Sequence, residues 1–152
     1  MESSMDNQVN MDGYKTNVDE VTKSSLKWSK DLLFSGRTQR GYEIDFDARI
    51  EWGCAPTEAL LLSLAGCIAV DIVSILQKQR VELSKFSVDI EGRRNANPPQ
   101  FFESILMTLI LGGKNIDQTK LDRAIELSQK KYCSVKHSLR SDMEITINTV
   151  IE

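Results

Sequence analysis

The sequence predicts an α+β fold, and three observations carry that prediction. Segments before residue 48 and after residue 81 alternate apolar and polar side chains, the stretch from Pro56 to Arg80 is apolar on every helical face, and a segment after Asp117 has one apolar stripe at helical spacing. No segment repeats, and 152 residues suit one domain with a substantial core. That domain is expected over residues 21–152. Residues 1–20 set Glu2, Asp6, Asp12, Asp19 and Glu20 against Lys15 alone and have no apolar period, so a disordered tail is expected there.

The first strands are expected between Leu26 and Asp47, with turns near Ser29-Lys30-Asp31 and at Arg40-Gly41. In the last of them Tyr42, Ile44 and Phe46 share one face, and Glu43, Asp45 and Asp47 share the other. That alternation predicts a half-buried antiparallel meander with its acidic side in water. Gly53 to Thr57 interrupts the sheet, and Pro56 is placed where the first turn of a helix tolerates a missing N–H. The helix beginning there would run ~36 Å over about 24 residues. A helix apolar all round must be surrounded, and one small sheet covers a single side. A second copy of the chain is the economical cover, so a homodimer is expected.

Lys85 to Glu91 alternates again, Asn95 to Gln100 with two prolines reads as a loop, and Ser104 to Leu111 is apolar on both faces and therefore central. Gly112-Gly113 is expected to end that strand. Asp117 is a good N-cap for the second helix, whose stripe is Leu121, Ala124, Ile125, Ser128 and Tyr132. The chain closes on a strand with Met143, Ile145, Ile147, Thr149 and Ile151 on one face.

Nineteen Lys and Arg against 22 Asp and Glu give a net charge of −3. No basic field exists to attract nucleic acid or an anionic membrane surface. Ser63, Asp71 and Ser74 interrupt the long apolar helix, which argues for burial over a membrane span. Three cysteines, an odd number without paired spacing, read as thiols of a reducing compartment. The first ten residues lack the apolar run of a signal peptide, so a cytoplasmic location is expected.

Cys67 is centred in the apolar helix and, on its own, suits a small core side chain. Gly66 beside it costs helix stability and predicts a close approach to the backbone. Asp71 comes one helical turn later on the same face, where a buried carboxyl needs a hydrogen-bond partner. Cys133 has Lys130, Lys131, Lys136 and His137, the single histidine, within four residues, an electropositive setting expected to lower a thiol pKa. Cys133 and His137 have the spacing of two ligands on one helix face, but no close ligand pair completes a zinc site, so no metal is expected. Cys54 reads as an incidental thiol, about 20 Å along the helix from Cys67 in the same chain.

The run from Pro56 to Leu76, with Leu62-Ser63-Leu64-Ala65-Gly66-Cys67 and Asp71-Ile72-Val73-Ser74-Ile75-Leu76, is succeeded about 60 residues later by Lys131-Tyr132-Cys133-Ser134-Val135. Together these closely resemble the OsmC/Ohr family of osmotically inducible and organic hydroperoxide resistance proteins, nearest its YhfA-like branch. The resemblance spans roughly Leu26 to Glu152 and implies an OsmC-like fold: antiparallel sheets wrapped around two long central helices in an intertwined homodimer. It further implies a thiol peroxidase in which Cys67 attacks an organic hydroperoxide and becomes a sulfenic acid, and Cys133 resolves it as a disulfide. A small dithiol or a lipoylated protein would restore the thiols, with no cofactor. In the hydroperoxide resistance branch an arginine held by a glutamate lowers the nucleophile's pKa. The glutamate position falls on Thr57, with Glu58 one residue away, and Arg37 is the nearest arginine. The activating cation stays open among Lys30, Arg37, Arg40 and the other subunit. The alternative is an OsmC-fold dimer that binds a small apolar or thiol ligand with little peroxidase activity.

Overall fold

The computed structural model describes residues 18–152, so most of the expected tail lies outside the described residues. Contacts group the chain into two compact units, one running to Leu62 and the other Ser63–Glu152. The first holds the meander: β1 (Ser24–Lys30), β2 (Leu33–Thr38) and β3 (Glu43–Asp47), antiparallel in the order β1-β2-β3. The chain reverses between β1 and β2 through Asp31 at a positive φ of 47°, where the Trp28 indole N–H donates to the Asp31 carbonyl at 2.9 Å.

One expected feature of β3 is corrected. Asp47 does not face water but is buried, with its carboxylate accepting from the backbone N–H groups of Arg49 (2.9 Å), Trp52 (3.2 Å) and Glu51 (3.3 Å). These bonds hold the Asp47 carboxyl below its usual range, the Arg49 N–H most strongly. Strand alternation does not register a loop that folds back and needs an anchor for its donors.

Helix α1 (Pro56–Lys78) starts in this unit and continues into the second. Pro56 opens it as expected, and the Glu58 carboxylate takes the Ala55 N–H at 2.8 Å, the reciprocal half of a capping box. By length and composition α1 could cross a membrane. Leu64, Ala65, Cys67, Ile68, Asp71, Ile72, Ile75 and Leu76 are nevertheless buried within this chain. Leu62 on the same helix is 65% exposed and Val70 43%.

The second unit holds β4 (Glu82–Arg94), β5 (Phe102–Lys114) and β6 (Glu144–Ile151), in the order β4-β5-β6. The strand apolar on both faces is the central one, as its composition demands. The fully buried Met107, Leu109 and Leu111 lie on one face of β5. Two expectations change. Gly112 and Gly113 do not end β5; the strand runs through them, and a Cβ on Gly113 would lie 2.1 Å from the Glu82 carbonyl oxygen, so the missing side chain permits strand contact. The sheet is also not antiparallel throughout: β6 pairs with β5 in parallel, because the chain returns through a helical crossover.

That crossover contains α2 (Gln118–Leu127), a π-helical turn over Ser128–Tyr132, and α3 (Ser134–His137). Asp117 caps α2 as expected, accepting the Lys120 N–H at 2.9 Å. The π turn inserts an extra residue, so the Cys133 N–H donates to the Ser128 carbonyl five residues back at 2.8 Å. The helical stripe consequently stops at Ser128: Leu121, Ala124, Leu127 and Ser128 are buried, whereas Tyr132 is only partly covered.

Candidate functional site at Cys67 and Cys133

α1 carries Cys67 and Asp71 one turn apart, both buried, at 6% and 0% exposure. The π turn brings Ser128 and Cys133 to the same place. The Ser128 hydroxyl donates to Asp71 Oδ2 at 2.8 Å, a fully buried bond that gives the carboxyl the partner its burial requires. The sulfurs of Cys67 and Cys133 and a carboxylate oxygen of Asp71 lie within 4.8 Å of one another. Two residues far apart in sequence, expected to act together, are therefore neighbours.

Cys133 is fully buried and sits at the N-cap of α3, where its sulfur accepts the Lys136 N–H at 3.3 Å. Burial pushes its thiol up from the usual 9.0 to about 12; the Lys136 N–H opposes this, while the hydrogen-bonded Cys67 and the charge of Asp71 add to it. The expected electropositive setting is thus corrected, because the cations of this segment are directed elsewhere. Lys130 bonds the Glu126 carboxylate at 2.8 Å, Lys131 sits over the Tyr132 ring, and the Lys136 ammonium donates to the Gln129 carbonyl at 3.0 Å. His137 Nδ1 meets the Cys133 carbonyl oxygen at 2.7 Å and not the sulfur.

Around Cys67 the helix is open on one side. A Cβ on Gly66 would meet nothing within 4 Å, so within this chain the close approach expected at that glycine does not occur. The remaining sequence candidates belong to the first unit. Arg37 lies in β2 between Ser25 and Glu43, with its guanidinium against Gly41, and Glu58 is engaged in capping α1. Arg40 faces Asp19 across 4.0 Å. Cys54 is partly buried, its thiol 3.6 Å from the Asp45 carbonyl oxygen. Among the described residues, Cys67, Asp71 and Cys133 bring three potential ligand atoms within 4.8 Å of one another.

Sequence reasoning passed over Ser128, which it placed in an apolar stripe. The available signal was the hydroxyl itself, a polar group at a position that helical spacing buries.

The family profile described as OsmC-like protein matches residues 47–148, two thirds of the chain and all four site residues. The chain belongs to the OsmC family. This OsmC-family chain is 33% identical over 125 residues to Protein YhfA of Escherichia coli K12, covering 82% of this chain and 93% of that one. A solved structure of a protein from Aquifex aeolicus VF5 superposes with a TM-score of 0.80 at 30% identity, covering 88% of this chain and 98% of that chain. The organic hydroperoxide resistance protein OhrB of Bacillus subtilis has the same fold at greater distance, with a TM-score of 0.58 and 14% identity over 86% of this chain and 98% of that chain. The mixed fold of two sheets and helices described above is the OsmC-like fold.

Proposed function

We propose that the chain is a thiol peroxidase that reduces organic hydroperoxides, with Cys67 as nucleophile and Cys133 as resolving thiol. The observation that carries this reading is the adjacency of the two sulfurs, within 4.8 Å of each other and buried where α1 meets the π turn. The Cys67 thiolate attacks the distal peroxide oxygen, the O–O bond breaks, and an alcohol leaves. The sulfenic acid on Cys67 is then attacked by the Cys133 sulfur, giving a disulfide and water. An external dithiol, free or on a lipoylated protein, reduces the disulfide, and no cofactor takes part. A compartment that supplies such reductants is a cytoplasmic one.

The apolar character of α1 around Cys67 supports alkyl or fatty hydroperoxides over hydrogen peroxide as substrates. The working unit is a homodimer, supported by apolar α1 side chains such as Leu62 and Val70 that this chain leaves exposed.

The deciding experiment is a thiol titration with intact mass before and after one equivalent of cumene hydroperoxide. Reduced wild type is expected to lose two thiols and about 2 Da on forming one disulfide. Cys67→Ser should consume no peroxide, whereas Cys133→Ser should complete one turnover and stall as sulfenic or overoxidised sulfur. A reduced wild type that does not react would replace this reading with that of a dimer binding a small apolar or thiol ligand.

A further inference from the structure

The proposed cycle leaves one proton unassigned. Resolution needs a nucleophilic Cys133, yet that sulfur is fully buried, and the lysines of its segment bond to Glu126, to the Tyr132 ring and to the Gln129 carbonyl. An unassisted buried thiol attacks slowly, since the thiolate is the nucleophile.

We infer that Asp71, held by Ser128, is the base that removes the Cys133 proton as the Cys67 sulfenic acid is resolved. This rests on the peroxidase reading above and assigns that site a further residue. Three features support it. Among the described residues, Asp71 offers a carboxylate oxygen within 4.8 Å of both sulfurs. Its orientation is fixed by the 2.8 Å bond from Ser128, itself fully buried. And the same π turn that places Ser128 places Cys133, so base, positioning hydroxyl and resolving thiol share one framework. A separation of up to 4.8 Å is bridged by one water or by the shortening that accompanies S–S bond formation.

The step balances. The Cys133 S–H proton passes to the Asp71 carboxylate, and the sulfur electron pair forms the S–S bond to Cys67. The S–O bond of the sulfenic acid breaks, and the departing hydroxide takes the proton from Asp71 as water. The carboxylate is regenerated, the Cys133 sulfur has been oxidised from thiol to disulfide, the Cys67 sulfur has been reduced from sulfenic acid to disulfide, and the oxygen leaves as water with its oxidation state unchanged. The groups facing Cys133 are Cys67 and Asp71 from α1, Ser128 from the π turn, and the Lys136 N–H from α3; His137 meets the Cys133 carbonyl.

The test is single-turnover reaction with cumene hydroperoxide, tracking sulfenic acid by dimedone adduct mass and disulfide by quenched alkylation. In Asp71→Asn sulfenic acid is expected to form within about threefold of the wild-type rate, while disulfide formation slows about 100-fold, the usual scale of a lost general base. Raising the pH should restore resolution in Asp71→Asn and not in Cys133→Ser, a recovery that a purely structural role would not produce. Ser128→Ala should slow resolution about tenfold, and His137→Ala should leave it unchanged. Wild-type resolution rates in Asp71→Asn, a defect there that alkali does not relieve, or a loss in His137→Ala would each overturn the inference. If Asp71→Asn does not fold, an unchanged disulfide rate in Ser128→Ala overturns it equally. A wild type that traps no sulfenic acid removes the peroxidase reading and this inference together.

Discussion

Cys133 carries two demands that oppose each other: its burial favours the protonated thiol, while its place beside Cys67 suits a nucleophile. The first has a direct consequence for stability. A folded-state pKa of about 12 against 9.0 means the folded chain keeps a proton that the unfolded chain loses. The stabilisation is full below pH 9 and is lost as pH rises towards 12. Urea unfolding across that range should show wild type losing stability more steeply than Cys133→Ala, and parallel slopes would contradict the burial effect. At this scale the sequence disclosed both thiols, the carboxyl and the need for its partner, since each is a chemical type at a helical spacing. The sign of the Cys133 shift was not legible. Three lysines and a histidine nearby in sequence predict depression, but whether the lysines point at the sulfur depends on Glu126, Gln129 and the Tyr132 ring.

Among the elements, α1, the β1–β3 meander and the central β5 can be read from composition and period, because continuous apolarity and strict alternation have few other solutions. The π turn over Ser128–Tyr132 has no such signal: an α-helix and an α-helix with one inserted residue have nearly the same local preferences. Its effect is large, since one inserted residue rotates every later side chain of the helix by about 100°. Deleting Lys130, which is exposed, should restore α-helical bonding and turn Cys133 away from Cys67. Far-UV circular dichroism should stay close to wild type while disulfide formation under peroxide falls about 100-fold, the usual cost of misplacing a reacting group. Unimpaired disulfide formation would mean that the π turn is not what aims the thiol. The parallel β5–β6 pair was equally hidden, because alternation in β6 fixes which face is buried and not the direction of the strand.

For the whole molecule, the all-round apolarity of α1 led to the expectation of a partner, and within this chain Leu62 and Val70 are exposed. Sedimentation should find wild type dimeric, and Leu62→Asp with Val70→Lys at least about tenfold weaker in association. A monomeric wild type would defeat the homodimer proposal. The order of the strands has a further effect, on how the chain assembles. β4 and β5 are joined by a short hairpin connection, whereas β5 and β6 are separated by the whole segment that carries α2, the π turn and α3. Closing the longer loop carries the larger entropy, so the hairpin is expected to form first and β6 to join late, an order that pulsed hydrogen exchange would check. α2 is tied to β6 through Gln118 and Thr149, at 3.1 Å. Ser128 and Cys133 belong to that late segment, so a partly folded chain can hold Cys67 in its helix while still lacking the second sulfur. On the proposed peroxidase reading, the pair of sulfurs is complete only in the completed fold, and a chain oxidised at Cys67 before then would lack its internal resolving thiol.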